Sequence, residues 1–167
     1  LPFPVAVELL DTIPGVDKTT AQRIVSEIGT DMRRFPTAHH LASWAGVCPG
    51  NNESAGKRKS GRTTKGDRWL RGALTLAAWA ASHTKDTYLS RLFANVARRR
   101  GKKRAIVAVA HSMLVSAYHM LRDHEPYEEL GPNHFETLHP ERLKHHHIRR
   151  LESLGYRVTL EPIQEAA

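Results

Sequence analysis

RAIVAVAHSMLVSAYHMLRDH, residues Arg104 to His124, is the most apolar helical stretch of this 167-residue chain, and its reading decides the fold. So long an apolar helix in so short a chain is expected to be a core helix, with the remaining helical segments packed around it. The expectation is an all-α fold: a compact bundle of about six helices. No apolar run approaches the roughly 20 residues that cross a bilayer. His111, in the middle of this stretch, reads as a hydrogen-bonded core histidine, because the distant His119 is its only candidate co-ligand at helical spacing.

Upstream lies DTYLSRLFANVARRRGKKR, with Asp86 as candidate N-cap and Leu89, Leu92, Phe93 and Val96 spaced i, i+3, i+4, i+7 on a helix face. It ends in Arg98, Arg99, Arg100, Lys102, Lys103 and Arg104, interrupted by Gly101 at a helix end. The run reads either as a solvated helix terminus or as a grip on a polyanion. Further back, Asp67 caps RWLRGALTLAAWAASH, whose Leu70, Leu74, Ala77 and Ala78 form an apolar stripe. Arg68 and Arg71 stand in its first turn, where the helix dipole disfavours cations and an anion nearby would explain them.

Before that helix comes WAGVCPGNNESAGKRKSGRTTKGDRWLR, residues 44–71, dense in Gly, Pro and Asn and therefore a loop. It sets Ser54 and Ser60 among Lys57, Arg58, Lys59, Arg62 and Lys65, a composition suited to holding phosphate. Residue types alone leave two readings open: a nucleophilic serine poised for phosphoryl chemistry, or a basic loop that positions a nucleic-acid backbone without reacting. The preceding AHHLASWAG reads as a short helix, and its adjacent His39 and His40 point about 100° apart. At the N-terminus an apolar segment, IPGV, and DKTTAQRIVSEIG form a helix-hairpin-helix-like start, with Asp17 as N-cap and Gly29 as stop. Such a hairpin either presents amides, with Lys18 and Arg23, to a DNA phosphate or is purely structural.

After Glu125 the chain turns to EPYEELGPNHFETLHP, a connection with freedom to move, and then to a last helix, PERLKHHHIRRLESLGY, with a possible short strand in RVTLEP. This divides the chain into a helical core over 1–130 and a C-terminal extension over 131–167 packed on the same domain. Three consecutive histidines, His145 to His147, fan around a helix axis, and with His134 and His139 they make a poor metal site. No metal site is expected in this chain. The single Cys48 reads as a packed small apolar residue, and the formal charge of +8, with 11 histidines besides, points to a polyanionic partner. The chain is expected to be soluble and intracellular, with no membrane partner.

Taken together, IPGV with its helix, LASWAGVCPGNNESAGKRKSG, TTKGDRWLR, the RRRGKKR junction and RRLESLGYRVTL resemble the C-terminal transposase domain of the insertion-sequence family called IS-one-ten, with its IS-one-eleven-eleven relatives. The resemblance runs from about Ile13 to Glu161. It implies a bacterial DNA transposase or recombinase guided by a bridge RNA, cytoplasmic and nucleoid-associated, with DNA and RNA as partners and a homo-oligomeric assembly. It implies that Ser54 is the nucleophile that joins to DNA, with Ser60 as fallback, and that the loop cations, Lys18 and the Arg98 to Lys103 cluster hold backbone. Family members begin with a RuvC-like domain whose four acidic residues bind Mg2+. No such domain precedes Leu1, so the resemblance implies a fragment that is inactive alone. The alternative is a non-catalytic helix-hairpin-helix nucleic-acid-binding or assembly module.

Overall fold

The computed structural model describes residues 1–49, 52–138 and 140–161, with the backbone alone for residues 52, 53 and 58–60. The elements in chain order are α1 (Phe3–Asp11), α2 (Lys18–Ile28), a 3-10 turn (Met32–Arg34), α3 (Ala38–Trp44), β1 (Asn52–Ser54), β2 (Lys57–Ser60), α4 (Arg68–His83), α5 (Tyr88–Arg100), α6 (Lys102–Asp123), α7 (His134–Thr137) and α8 (Pro140–Glu152). The all-α class holds, with eight helices and one small β-hairpin among the described residues. Residues 156–161 carry no strand.

Two compact units divide the chain, Leu1–Pro132 and Asn133–Ala167. In the first, α6 is the core helix: Ala105, Val109, Ala110, Met113, Leu114, Ala117 and Leu121 are buried, and α1, α3, α4 and α5 all pack on it. Contrary to the sequence expectation that no apolar run is long enough, its length and a mean hydropathy of 1.2 would suit a membrane span, but just over half of that stretch is buried inside the fold. Its apolar side is therefore satisfied by protein. Tyr118 donates from its hydroxyl to the Phe35 carbonyl at 3.2 Å, tying α6 to the turn before α3.

Helix boundaries follow local chemistry. Asp17 and Asp67 cap α2 and α4, accepting the amides of Thr20 at 2.8 Å and Leu70 at 2.6 Å. The cap of α5 is Thr87, which accepts the Ser90 amide at 3.2 Å, whereas Asp86 is one residue too early and takes a left-handed φ of 56°. The connection after Glu125 is anchored rather than free at its start. The Tyr127 amide donates to Thr12 Oγ1 at 3.0 Å, and the Tyr88 amide donates to Glu129 Oε1 at 2.7 Å. In the second unit α8 is amphipathic by sequence, yet none of its described residues is buried.

Candidate nucleic-acid interface

The basic loop is built on a glycine clamp. Gly46 ends α3 at φ 70°, and a Cβ placed there would lie 2.6 Å from the Gly66 nitrogen. A Cβ on Gly66 would in turn come within 2.5 Å of the Ala45 carbonyl oxygen and closer still to Gly46 N and Ala45 C. The two ends of the loop thus touch backbone to backbone, joined also by the Asp67 amide donating to the Trp44 carbonyl at 3.4 Å. Only glycine permits such an approach.

From this pinned base rises the antiparallel hairpin of β1 and β2, with Ser54 opposite Lys57 and a register shift between Asn52 and Glu53. Ala55 and Gly56 form its turn with φ of 50° and 71°, both positive, as the tight two-residue hairpin turns require. Glycine adopts that conformation freely, whereas alanine there costs about 1–2 kcal/mol. The turn is therefore held at some strain beside Ser54. Ser54, Ala55, Gly56 and Lys57 are all exposed. A serine at the end of a strand, directly across from a lysine, on a protruding tip, is open to a large substrate such as a nucleic-acid backbone.

The remaining predicted site residues fall in several places. The side chains of Arg58, Lys59 and Ser60 lie outside the described residues, as does His139. Arg62 and Lys65 are exposed on the segment that returns from the hairpin to α4. Lys18 is exposed at the first residue of α2. The IPGV turn there is used internally: Gly15, at φ 85°, lies against the backbone of α4, where an added Cβ would come within 2.5 Å of the Ala77 carbonyl oxygen. Asp17 keeps its charge at the start of α2, since hydrogen bonds from Thr20 hold its carboxyl below the usual range.

Arg98, Arg99, Arg100, Lys102, Lys103 and Arg104 are all exposed around Gly101, whose φ of 82° turns the chain from α5 into α6. The first three sit at a helix C-terminus, where the dipole favours them. The last three sit in the first turn of α6, which has no side-chain cap and no acidic residue. Their mutual repulsion and the dipole both call for an anion at this junction.

The histidines next to the loop diverge. His40 Nδ1 is 2.9 Å from Thr37 Oγ1, while the His39 ring stacks obliquely at 6.2 Å from that of His111. Burial, and then the neighbouring His39, push the His111 pKa below its ordinary value. Cys48 is partly buried against the core, and that burial pushes its thiol pKa up. Among the described residues no three His, Cys, Asp or Glu side chains converge on a common point.

One described feature was missed by sequence reasoning. Arg142, His145, His146 and Arg149 line one face of α8. Their i, i+3, i+4, i+7 spacing is the sequence signal for this shared face.

The family profile described as "Transposase IS116/IS110/IS902 family" matches residues 7–94, from α1 into α5. The chain belongs to this family. The transposase-family match takes in the glycine clamp, the hairpin with Ser54 and the whole of α4, while the Arg98 to Arg104 junction lies beyond it. The chain is 30% identical over 124 residues to the pilin gene-inverting protein of Moraxella bovis, an alignment covering 72% of this chain and 38% of that one. It is 34% identical over 128 residues to the insertion element IS110 uncharacterized 43.6 kDa protein of Streptomyces coelicolor, covering 74% and 31%. With the insertion element IS900 uncharacterized 42 kDa protein of Mycobacterium paratuberculosis the figures are 32% over 125 residues, 72% and 30%. The chain thus spans about a third of the length of the curated relatives it matches.

Proposed function

We propose that this chain is the serine-bearing part of a DNA transposase or recombinase. The observation that supports it most is the placement of Ser54: exposed at the end of β1, opposite Lys57, on a hairpin whose base is clamped backbone to backbone. In the proposed step Ser54 Oγ attacks a backbone phosphorus. The Oγ–P bond forms, the bond from phosphorus to one sugar oxygen breaks, and the DNA end stays joined to the protein as a phosphodiester. The serine proton passes to a base, and the leaving sugar oxygen takes up a proton. Lys57, with Arg58, Lys59, Arg62 and Lys65, neutralises the phosphate charge, and Lys18 and the Arg98 to Lys103 junction hold flanking DNA or guide RNA.

His40 is held by Thr37 and the His39 ring is turned toward His111, so the base in this reading comes from outside the loop. The Mg2+ that the resemblance assigns to a separate acidic domain would lower the pKa of an oxygen nucleophile and offset phosphate charge. No cluster among the described residues of this chain fits it. The same reading makes the whole protein a homo-oligomer acting on DNA in the bacterial cytoplasm.

The test uses the full-length parent protein with its donor DNA and Mg2+, resolved on a denaturing gel. A covalent protein–DNA adduct is expected with the parent and none with Ser54→Ala, while salt-sensitive DNA binding persists. An adduct that survives Ser54→Ala would overturn the assignment and direct attention to Ser60. Binding with no adduct in the parent under any condition would favour the non-catalytic module.

A further inference from the structure

A groove of about 1270 Å3 runs between α2 and the first half of α4. It exceeds the roughly 300–1,000 Å3 typical of small-molecule pockets and is of a size to take a length of polymer. Its cations are Arg23 from α2, Lys65 from the loop, and Arg68 and Arg71 from α4, against the single carboxylate of Glu27. Among them stands Trp69, 70% exposed, with the Arg68 guanidinium 5.4 Å from its ring centre, and two turns on is Leu76, 64% exposed.

Gly72 lies between them on the same stripe of α4. Glycine weakens a helix interior, and nothing in the fold requires it here, since an added Cβ would meet no atom within 4 Å. What the glycine provides is open space on the groove floor beside the indole. A ligand that suits this site is flat and apolar in one part and polyanionic in another. Gly66 lines the groove as well as closing the loop clamp, so the groove begins at the base of the hairpin.

We propose that this groove binds an unpaired strand of nucleic acid, with Trp69 stacking on a base above Gly72 and the four cations holding phosphates. Aromatic stacking needs an open base face, which a duplex keeps within its own stack. The inference goes beyond the assignment of Ser54, which does not line the groove, and stands or falls separately from it.

The test is fluorescence anisotropy of labelled 12-residue dT, dU and U strands and a 12-base-pair duplex with the 167-residue chain, at fixed salt. Trp69→Ala is expected to weaken strand binding by about 5- to 150-fold, the range for loss of one stacked base. Duplex binding, carried by the exposed cations elsewhere, should change less than about twofold. Trp69→Phe, which keeps a smaller stacking face, should fall between parent and Trp69→Ala. Gly72→Leu, which fills the floor without touching the core, should lose strand affinity while melting no lower than the parent. Comparison of dT with dU, and of dU with U, separates the base methyl from the preferred sugar. Strand affinity unchanged in Trp69→Ala and Gly72→Leu would overturn the proposal, as would equal loss for strand and duplex. So would a change of sedimentation state in Trp69→Ala without a change in strand binding, which would make the face a protein contact. A Ser54→Ala chain run alongside should bind strands like the parent, so loss of the adduct and loss of the groove are told apart.

Discussion

Replacing Gly66 by alanine tests whether the loop is held by its glycine clamp. The new Cβ would stand 2.5 Å from the Ala45 carbonyl oxygen, and nearer to two further backbone atoms, where ordinary Cβ contacts begin above 3.4 Å. The chain ends must separate by about 1 Å, and no side-chain rotation relieves the clash because every neighbour is backbone. Overpacking of this kind costs about 1–3 kcal/mol. Separation also weakens the bond from the Asp67 amide to the Trp44 carbonyl, worth about 1 kcal/mol. A total of about 2–4 kcal/mol corresponds to a fall in Tm of roughly 6–12 °C for a chain of this size. Gly72→Ala is the control, since it adds the same methyl group in open space within a helix and should stabilise by about 1 kcal/mol. The assay is thermal unfolding followed by circular dichroism, with adduct formation in the full-length protein as a second readout. A Gly66→Ala protein melting within 2 °C of the parent would refute the clamp.

The cationic junction and the half-buried His111 lead to two more predictions. Arg98, Arg99 and Arg100 changed together to Gln should lower the slope of log K against log salt for duplex DNA by up to about 0.9 per lost phosphate contact, without altering the fold; an unchanged slope would remove these residues from the interface. His111 has a folded pKa below its ordinary value, so the unfolded chain takes up its proton first as pH falls below about 6.5. Stability from the neutral imidazole is complete above that pH and declines below it, so the parent should lose more Tm between pH 7 and pH 5 than His111→Gln does. Parallel pH profiles for the two proteins would show that His111 is not the group responsible.

Much of the fold was legible because the signals are local. A carboxylate three residues before an amide is enough to cap a helix, so Asp17 and Asp67 could be read directly, as could Gly29 and Gly101 as stops. Asp86 misled because the adjacent Thr87 is an equally good cap, and only the path of the incoming chain chose between them. The basic loop was recognised, but not as a hairpin. Alanine is a poor residue for a left-handed turn, and Ala55 before Gly56 concealed the turn that an asparagine would have announced.

The apolar stripe of α4 was read correctly in Leu70, Leu74, Ala77 and Ala78, which are all buried. That reading left no role for Trp69 and Leu76 on the other side of the helix. Whether a large apolar side chain is covered depends on what packs over it, and periodicity along one helix does not contain that information.

By itself, then, the sequence determined the helical class, the central position of Arg104 to His124, most helix ends, the transposase-family motifs and the clustering of positive charge, because each depends on residues near one another in the chain. The tertiary structure alone decided that Gly46 meets Gly66 across the 19 residues between them, that Gly15 is turned onto α4, that the His39 ring meets that of His111, and that Arg23 on α2 faces the cations of α4 across an open groove. These are distances between segments far apart in sequence, set by how the helices pack on α6.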